Sequence, residues 1–374
     1  MYQRDLEITM MNWMNSREIL IVYGARQVGK TTLIKMFTSR FEHVQIFNCE
    51  QPIVFDILQS RNLGRIKSLF GDSQIIVLDE AQVVGQIGAI LKLIFDTFPE
   101  YKLIVTGSSS FDLLNKVAEP LTGRNIKFRL FSLSVNELHS AKKALWVYEK
   151  LSDLLVYGSY PGIVDLPAEK KIKKLEELTT DYLFKDLLAY ENLKNSGVLR
   201  NLIKALALQT GNLVSLHELS IKMGITIPTV EKYIDLLEKT FVIFSLGAFN
   251  SNTRNEIRKS RKYYFYDTGI RNAVINNFSP PENRNDMGVL WENFCIAERM
   301  KVNHLKTGVV NMFFWRTYDG AEIDLVEEKN GKLVAYECKW SAKKQPGIPV
   351  SFKTKYHPDQ FFVVNPDNFL QFLI

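Results

Sequence analysis

The chain has 374 residues, 46% of them apolar and 24% charged, with a formal net charge of +6. At roughly 150 residues per domain this is length for two or three domains, and the balance excludes disordered, fibrous and membrane-spanning classes. Three scattered cysteines, Cys49, Cys295 and Cys338, exclude a disulfide framework and a cysteine-built zinc site. The acid-bearing start of the chain is not laid out like a signal peptide, so the expected location is cytoplasmic, with no membrane partner.

Short β-rich runs at 19–23, 44–48, 74–79, 101–106 and 126–131 alternate with segments of helical spacing, such as 84–98. This alternation predicts an α/β domain over residues 1–140, a parallel sheet covered on both faces with ligands at the carboxyl ends of the strands. Directly after the first run, Gly24, Ala25, Arg26, Gln27, Val28, Gly29, Lys30 and Thr31 satisfy GxxxxGK[ST], and Thr32 opens the predicted helix beside them. Glycines let the backbone close around phosphates, so that consecutive N–H groups and a helix N-terminus face the anion. Lys30 would reach the β- and γ-phosphates, and the Thr31 hydroxyl would ligate Mg²⁺.

About 50 residues on, IIVLDEAQ at 75–82 places Asp79 and Glu80 at the end of a buried strand. Asp79 would hold the Mg²⁺ through water, and Glu80 would orient and deprotonate the attacking water. A third strand, LIVTGSSS at 103–110, ends in hydroxyls suited to sensing a γ-phosphate, with Thr106 and Ser108 as the candidates. Arg124 precedes the fifth run and would supply positive charge to the transition state, within the chain or from a neighbouring subunit. The order GARQVGKTT, LDEAQ, VTGSSS, LTGR and FSLSVNEL resembles the AAA-type ATPases of bacteria and archaea, within the P-loop NTPases. The resemblance implies a five-stranded sheet, and ATP with Mg²⁺ as ligands; no NKxD-like guanine reader is present.

Residues 141–200 read as a helical lid or linker, broken by a Gly- and Pro-bearing turn at 157–165. Residues 201–284 hold two helical segments with Gly224 closing the first and Thr226 and Pro228 opening the second. With a strand at 263–267 after them, they outline a winged helix-turn-helix. Residues 285–374 begin with a helix around LWENFCIAERMK and continue with strands at 312–317, 321–327, 333–339 and 361–364, an α/β unit of its own.

In that last unit Asp324 and Glu337 stand 13 residues apart on two strands, and Lys339 shares a strand face with Glu337. Two carboxylates, joined by Glu292, would bind a divalent metal while the lysine positions water for phosphodiester cleavage. The D…ExK pattern resembles the PD-(D/E)xK nuclease superfamily, with Ile323 in place of the proline, and implies a restriction-endonuclease-like fold.

Positive charge collects at 254–262, with five bases against one acid, and at 339–355, with five lysines and no acid. Three functions follow: an ATPase coupling nucleotide state to the later domains, an ATP-regulated metal-dependent nuclease, or an ATP-switched module. The partner of that module would be nucleic acid, gripped by the winged helix and the basic runs, or a protein.

Overall fold

The computed structural model describes residues 2–107, 120–183, 196–249, 261–306 and 308–374. They divide into two compact units, Met1–Ser132 with Lys239–Phe241, and Leu133–Glu238 with Val242–Ile374.

The first unit is built on a sheet of β1 (Ile19–Tyr23), β2 (Val44–Asn48), β3 (Ile75–Asp79), β4 (Lys102–Gly107) and β5 (Asn125–Arg129), in the order β2-β3-β4-β1-β5. Every pair is parallel, as the strand-helix alternation predicts. All residues of β1 and β3 are buried, the continuous apolar run expected of strands covered on both faces. Ile21, Ile76, Leu78 and Val105 pack with Ile90, Leu91 and Ile94 of the Ile87–Thr97 helix in one apolar core. The central strands are thereby fixed, and their carboxyl ends converge at one edge. Since β4 lies between β1 and β3, its last residues neighbour both motif-bearing strand ends.

The second unit holds a seven-stranded sheet, ordered β12-β11-β10-β9-β7-β8-β6, from β6 (Leu213–Val214), β7 (Ile243–Ala248), β8 (Arg261–Phe265), β9 (Asn311–Arg316), β10 (Glu322–Lys329), β11 (Lys332–Cys338) and β12 (Gln360–Val364). The boundary expected at 284 falls inside this sheet. Parallel pairing of Gly247 with Phe313 and Ala248 with Phe314 joins β7 to β9, so the strands after the helix pair and the carboxyl-terminal strands form one continuous layer. Short complementary strands read alike whether a sheet ends or continues, because the edge is decided by partners distant in sequence.

Before this sheet the chain is helical at Val135–Glu149, Leu151–Tyr157 and Ala168–Glu177. Ser134 and Glu137 form a reciprocal capping box at the first of these. Gly158 takes φ +71° at the turn, where a Cβ would stand 1.8 Å from a carboxylate oxygen of Asp267. The helix Met287–Leu305 crosses the unit with Trp291 fully buried, its indole N–H donating to Val364 O at 3.1 Å. Among the described residues no helix is long and apolar enough to cross a membrane.

Candidate functional site

β1 ends in the phosphate-loop sequence, whose backbone takes a conformation closed to most side chains. Gly29 has φ +95° and caps the helix Lys30–Thr38, and Gln27 has φ +61°. A Cβ on Gly24 would lie 2.1 Å from Leu130 O, so only glycine lets the loop pass this close to the chain after β5. Within the loop Arg26 and Gln27 are exposed and Val28 is buried, while Thr32 sits exposed on the following helix. Lys30, only 5% exposed, folds its Nζ back onto Gly24 O at 3.0 Å and Ala25 O at 2.9 Å. The ammonium therefore spans the mouth of the loop, held by the carbonyls that line it.

The hydroxyl of Thr31 donates to Asp79 Oδ2 at 3.0 Å, joining the loop to the end of β3. Thr106, fully buried on β4, donates to Asp79 Oδ1, and its Oγ1 accepts the backbone N–H of Glu80 at 3.2 Å. The three strand ends are thus linked through one carboxylate. Glu80 stands at φ +53°, a left-handed conformation uncommon for a side chain of its size, and its Oε2 accepts from Gln82 Nε2 at 2.6 Å. Ser108 lies outside the described residues.

Arg124 is not brought to this site. It precedes β5, its carbonyl accepts from Ile19 N at 2.8 Å, and its guanidinium pairs with Asp96 at 3.1 Å. Because Ile19 and Asn125 open their parallel strands side by side, Arg124 lies at the amino edge of the sheet, the length of a strand from Lys30. This corrects the expectation that it acts within the chain. The arginine at the carboxyl edge is Arg129, paired in register with Tyr23 and lying over the rings of Tyr23 (5.8 Å) and Phe131 (5.6 Å). Sequence reasoning missed Arg129 by weighing the arginine ahead of the run, although a parallel strand carries its last residue, Arg129, to the ligand edge. Gln82 was legible in principle, two residues beyond Glu80. Arg4, with Nη1 on Val28 O at 2.8 Å, carries no local signal of that contact.

In the second unit Glu292, Asp324, Glu337 and Lys339 share an electrostatic environment. Among the described residues no group of three or more His, Cys, Asp or Glu side chains is placed to hold a metal. Protein donors occupy each acid: Asp324 Oδ2 accepts Cys338 N–H at 2.7 Å, Glu337 pairs with Lys339, and Glu292 Oε1 accepts Tyr264 OH at 2.7 Å. Lys262, 1% exposed on β8, ion-pairs with Glu322 and lies 3.4 Å from Glu292 Oε1. Its ammonium brings positive charge to the neighbourhood of Glu292 and Asp324, two of the acids expected to ligate a metal. Burial, then the charge of Asp324, raises Glu292 to about 8 and Glu337 to about 7; burial also raises Asp324. Lys262 escaped notice because it closes the basic run at 254–262 and reads as part of a solvated stretch.

The helices Leu216–Met223 and Ile227–Lys239 flank Gly224, which takes φ +66°, and β6 pairs with β8 beside them. The second helix exposes Glu231, Lys232 and Asp235. Its Glu231, Asp235 and Glu238 line a groove of about 750 Å³ together with Leu213, Arg261 and Tyr263. Burial, then the charge of Glu238, pushes Tyr263 up to about 12. Arg258 and Lys259 of the basic run lie outside the described residues.

Comparison with known proteins gives three consecutive family matches. Residues 16–139 match an AAA domain, residues 148–281 a domain of unknown function (DUF8612), and residues 287–373 another domain of unknown function (DUF4143). Among curated relatives, the uncharacterized protein Rv2008c of Mycobacterium tuberculosis is 26% identical over 342 residues, covering 90% of this chain and 74% of its own. The uncharacterized protein MJ1544 of Methanocaldococcus jannaschii is 25% identical over 374 residues, covering 91% of this chain and 79% of its own. Among solved structures, the Walker-type ATPase PABY2304 of Pyrococcus abyssi superposes with a TM-score of 0.52 at 16% identity, over 73% of this chain and 96% of that one. The first unit therefore has the P-loop NTPase fold.

Proposed function

We propose that this chain is a Mg²⁺-dependent ATPase whose nucleotide site is the carboxyl edge of the five-stranded sheet. The observation that carries the reading is the Thr31–Asp79–Thr106 linkage, which joins the phosphate loop, the acidic strand end and the sensor strand through one carboxylate. The residues fit the ligand. Gly24 lets the loop lie against Leu130, Lys30 supplies a fixed ammonium, and Thr31 with Asp79 offers the hard oxygen donors that Mg²⁺ takes. Bound Mg²⁺ would neutralise phosphate charge. Glu80, turned by its left-handed backbone and braced by Gln82, would orient water and accept its proton. Thr106 would register the state of the Asp79 end through the backbone of Glu80.

The test is paired titration calorimetry and phosphate release on purified protein. Lys30→Ala should lose ATP binding, while Glu80→Gln should bind ATP and lower turnover by about 100-fold, the usual worth of a general base. Wild-type turnover in both variants would refute the proposal.

Nucleotide state would act on a partner of the second unit, and the groove on that unit favours a protein over DNA. The helix in the recognition position of a helix-turn-helix exposes Glu231 and Asp235 against one base, Lys232, and Glu238 lines the groove beside them, a net negative charge that opposes phosphates. Binding of a fluorescent duplex that weakens steeply with salt, and is lost on Arg261→Ala, would overturn the protein-partner reading.

A further inference from the structure

We propose that Arg4 is a positioning residue that sets the phosphate loop and ties it to the segment by which the chain leaves the first unit; the inference rests on the nucleotide reading above. Arg4 stands ahead of the short helix Leu6–Met11 and is 5% exposed. Its Nη1 donates to Val28 O at 2.8 Å and its Nη2 to Phe131 O at 2.7 Å. Its own backbone N–H donates to Glu7 Oε1 at 3.3 Å, and the other oxygen of that carboxylate, almost wholly buried, accepts from Arg40. The guanidinium is therefore anchored at its base and forked across two carbonyls separated by 103 positions in the sequence.

The Val28 carbonyl and the Gly29 N–H belong to one planar, trans peptide unit, so they point in opposite directions. Fixing the carbonyl on Arg4 turns the Gly29 N–H the other way, toward the concave side of the loop where the phosphate oxygens of a nucleotide would sit. A buried carbonyl facing away from an anion needs a donor in any case, and a charged fork supplies a stronger and more directional one than a neutral group. The second prong falls on Phe131, the residue after Leu130, whose N–H donates to Tyr23 O at 2.8 Å and whose carbonyl crowds Gly24. Both ends of the loop, Gly24 and Val28, thus bear on residues 130–131, one directly and one through Arg4. The first unit ends at Ser132. A nucleotide that shifts the Val28–Gly29 peptide plane must strain or release the hold on Phe131.

The test is amide hydrogen exchange on the full chain, with and without a non-hydrolysable ATP analogue, beside calorimetric binding of that analogue. In wild type the analogue should slow exchange in peptides covering 129–133. Arg4→Ala should weaken analogue binding by about ten-fold, the worth of one charge-assisted bond, and abolish the nucleotide-dependent change at 129–133. Arg4→Lys keeps the charge but replaces the planar two-pronged fork with a single, shorter-reaching ammonium; it should recover most of the affinity and little of the coupling, which separates positioning from mere fold support. Wild type that binds the analogue without any change at 129–133, or Arg4→Ala that transmits it unaltered, overturns the inference while leaving the ATPase reading intact. Wild type that does not bind the analogue removes both. Should Arg4→Ala not fold, Arg4→Lys decides: retained coupling in it overturns the inference.

Discussion

Thr106 donates its hydroxyl hydrogen to Asp79 and receives the backbone N–H of Glu80 on the same oxygen. One buried hydroxyl thus holds the two residues assigned to the metal and to the attacking water. A valine of similar shape removes both bonds and leaves the Glu80 amide without this partner, while the apolar packing around β4 is kept. Thr106→Val should therefore reduce ATP turnover by about ten-fold to 100-fold with analogue affinity changed far less, and Thr106→Ser should restore it. Steady-state kinetics with direct binding checks this; equal losses in both quantities would assign Thr106 to ground-state binding instead.

Arg124 gives the opposite expectation. Its pairing with Asp96 at the amino edge of the sheet is a half-exposed ion pair, worth about 0–1 kcal/mol. Arg124→Ala should leave the turnover of dilute, monomeric protein within about two-fold of wild type, the span of a surface substitution, since its guanidinium meets Asp96 and the Phe95 ring at the amino edge. A deep loss that grows with protein concentration in mixing experiments would mean that a neighbouring subunit uses this arginine.

These two residues mark where the sequence is informative. The phosphate loop, the Asp79–Glu80 pair and Thr106 were legible because each follows an apolar run that becomes a strand, so position in the sequence fixes position at the sheet edge. Arg124 was misplaced although a parallel sheet already puts a residue ahead of its strand at the amino edge, away from the ligand edge. The sheet that continues across position 284 was not legible for a different reason: the pairing of Gly247 with Phe313 joins segments 66 residues apart, and nothing local to either strand announces it. In the second unit the spacing of Asp324, Glu337 and Lys339 correctly placed Lys339 beside Glu337. It said nothing of Lys262, which reaches the acids from β8.

Lys262 makes the next prediction. A 1%-exposed ammonium between Glu292 and Glu322 offsets acids drawn from the Met287–Leu305 helix and β10. Removing it takes the nearest cation from Glu322, which keeps Arg316 at 3.5 Å, and from Glu292, which burial holds largely protonated below pH about 8; breaking a fully ionised buried pair costs about 3–5 kcal/mol. Lys262→Met should destabilise the second unit by an amount toward the lower end of that range, because Glu292 and Glu322 keep some contact with solvent. The double variant Lys262→Met/Glu292→Gln should recover part of the loss. Urea unfolding followed by tryptophan fluorescence reads this unit, since Trp146, Trp291, Trp315 and Trp340 belong to it and only Trp13 to the other. Millimolar Mn²⁺ should stabilise the single variant, whose carboxylates are freed, and leave wild type unchanged; stabilisation of wild type that is lost in Asp324→Asn would restore these acids as metal ligands.

The same cluster fixes a pH dependence. Burial raises Glu292 from the ordinary 4.5 to about 8 and Glu337 to about 7, so the folded second unit holds protons that the unfolded chain has released. Between these values the native state binds more protons than the unfolded state, and stability must fall as pH rises. The contribution is fully present below pH about 4.5, declines through the window up to about 7 for Glu337 and about 8 for Glu292, and is then flat. The urea midpoint read by tryptophan fluorescence should therefore drop between pH 5.5 and 8, a direction opposite to that of an ion-paired carboxylate with a depressed pKa. Glu292→Gln keeps the hydrogen bond from Tyr264 on a neutral acceptor and removes one titrating group. It should shallow the slope and be more stable than wild type at pH 8. A midpoint that rises across this range in wild type would mean that Lys262 holds Glu292 ionised, and that charge pairing outweighs burial at this site.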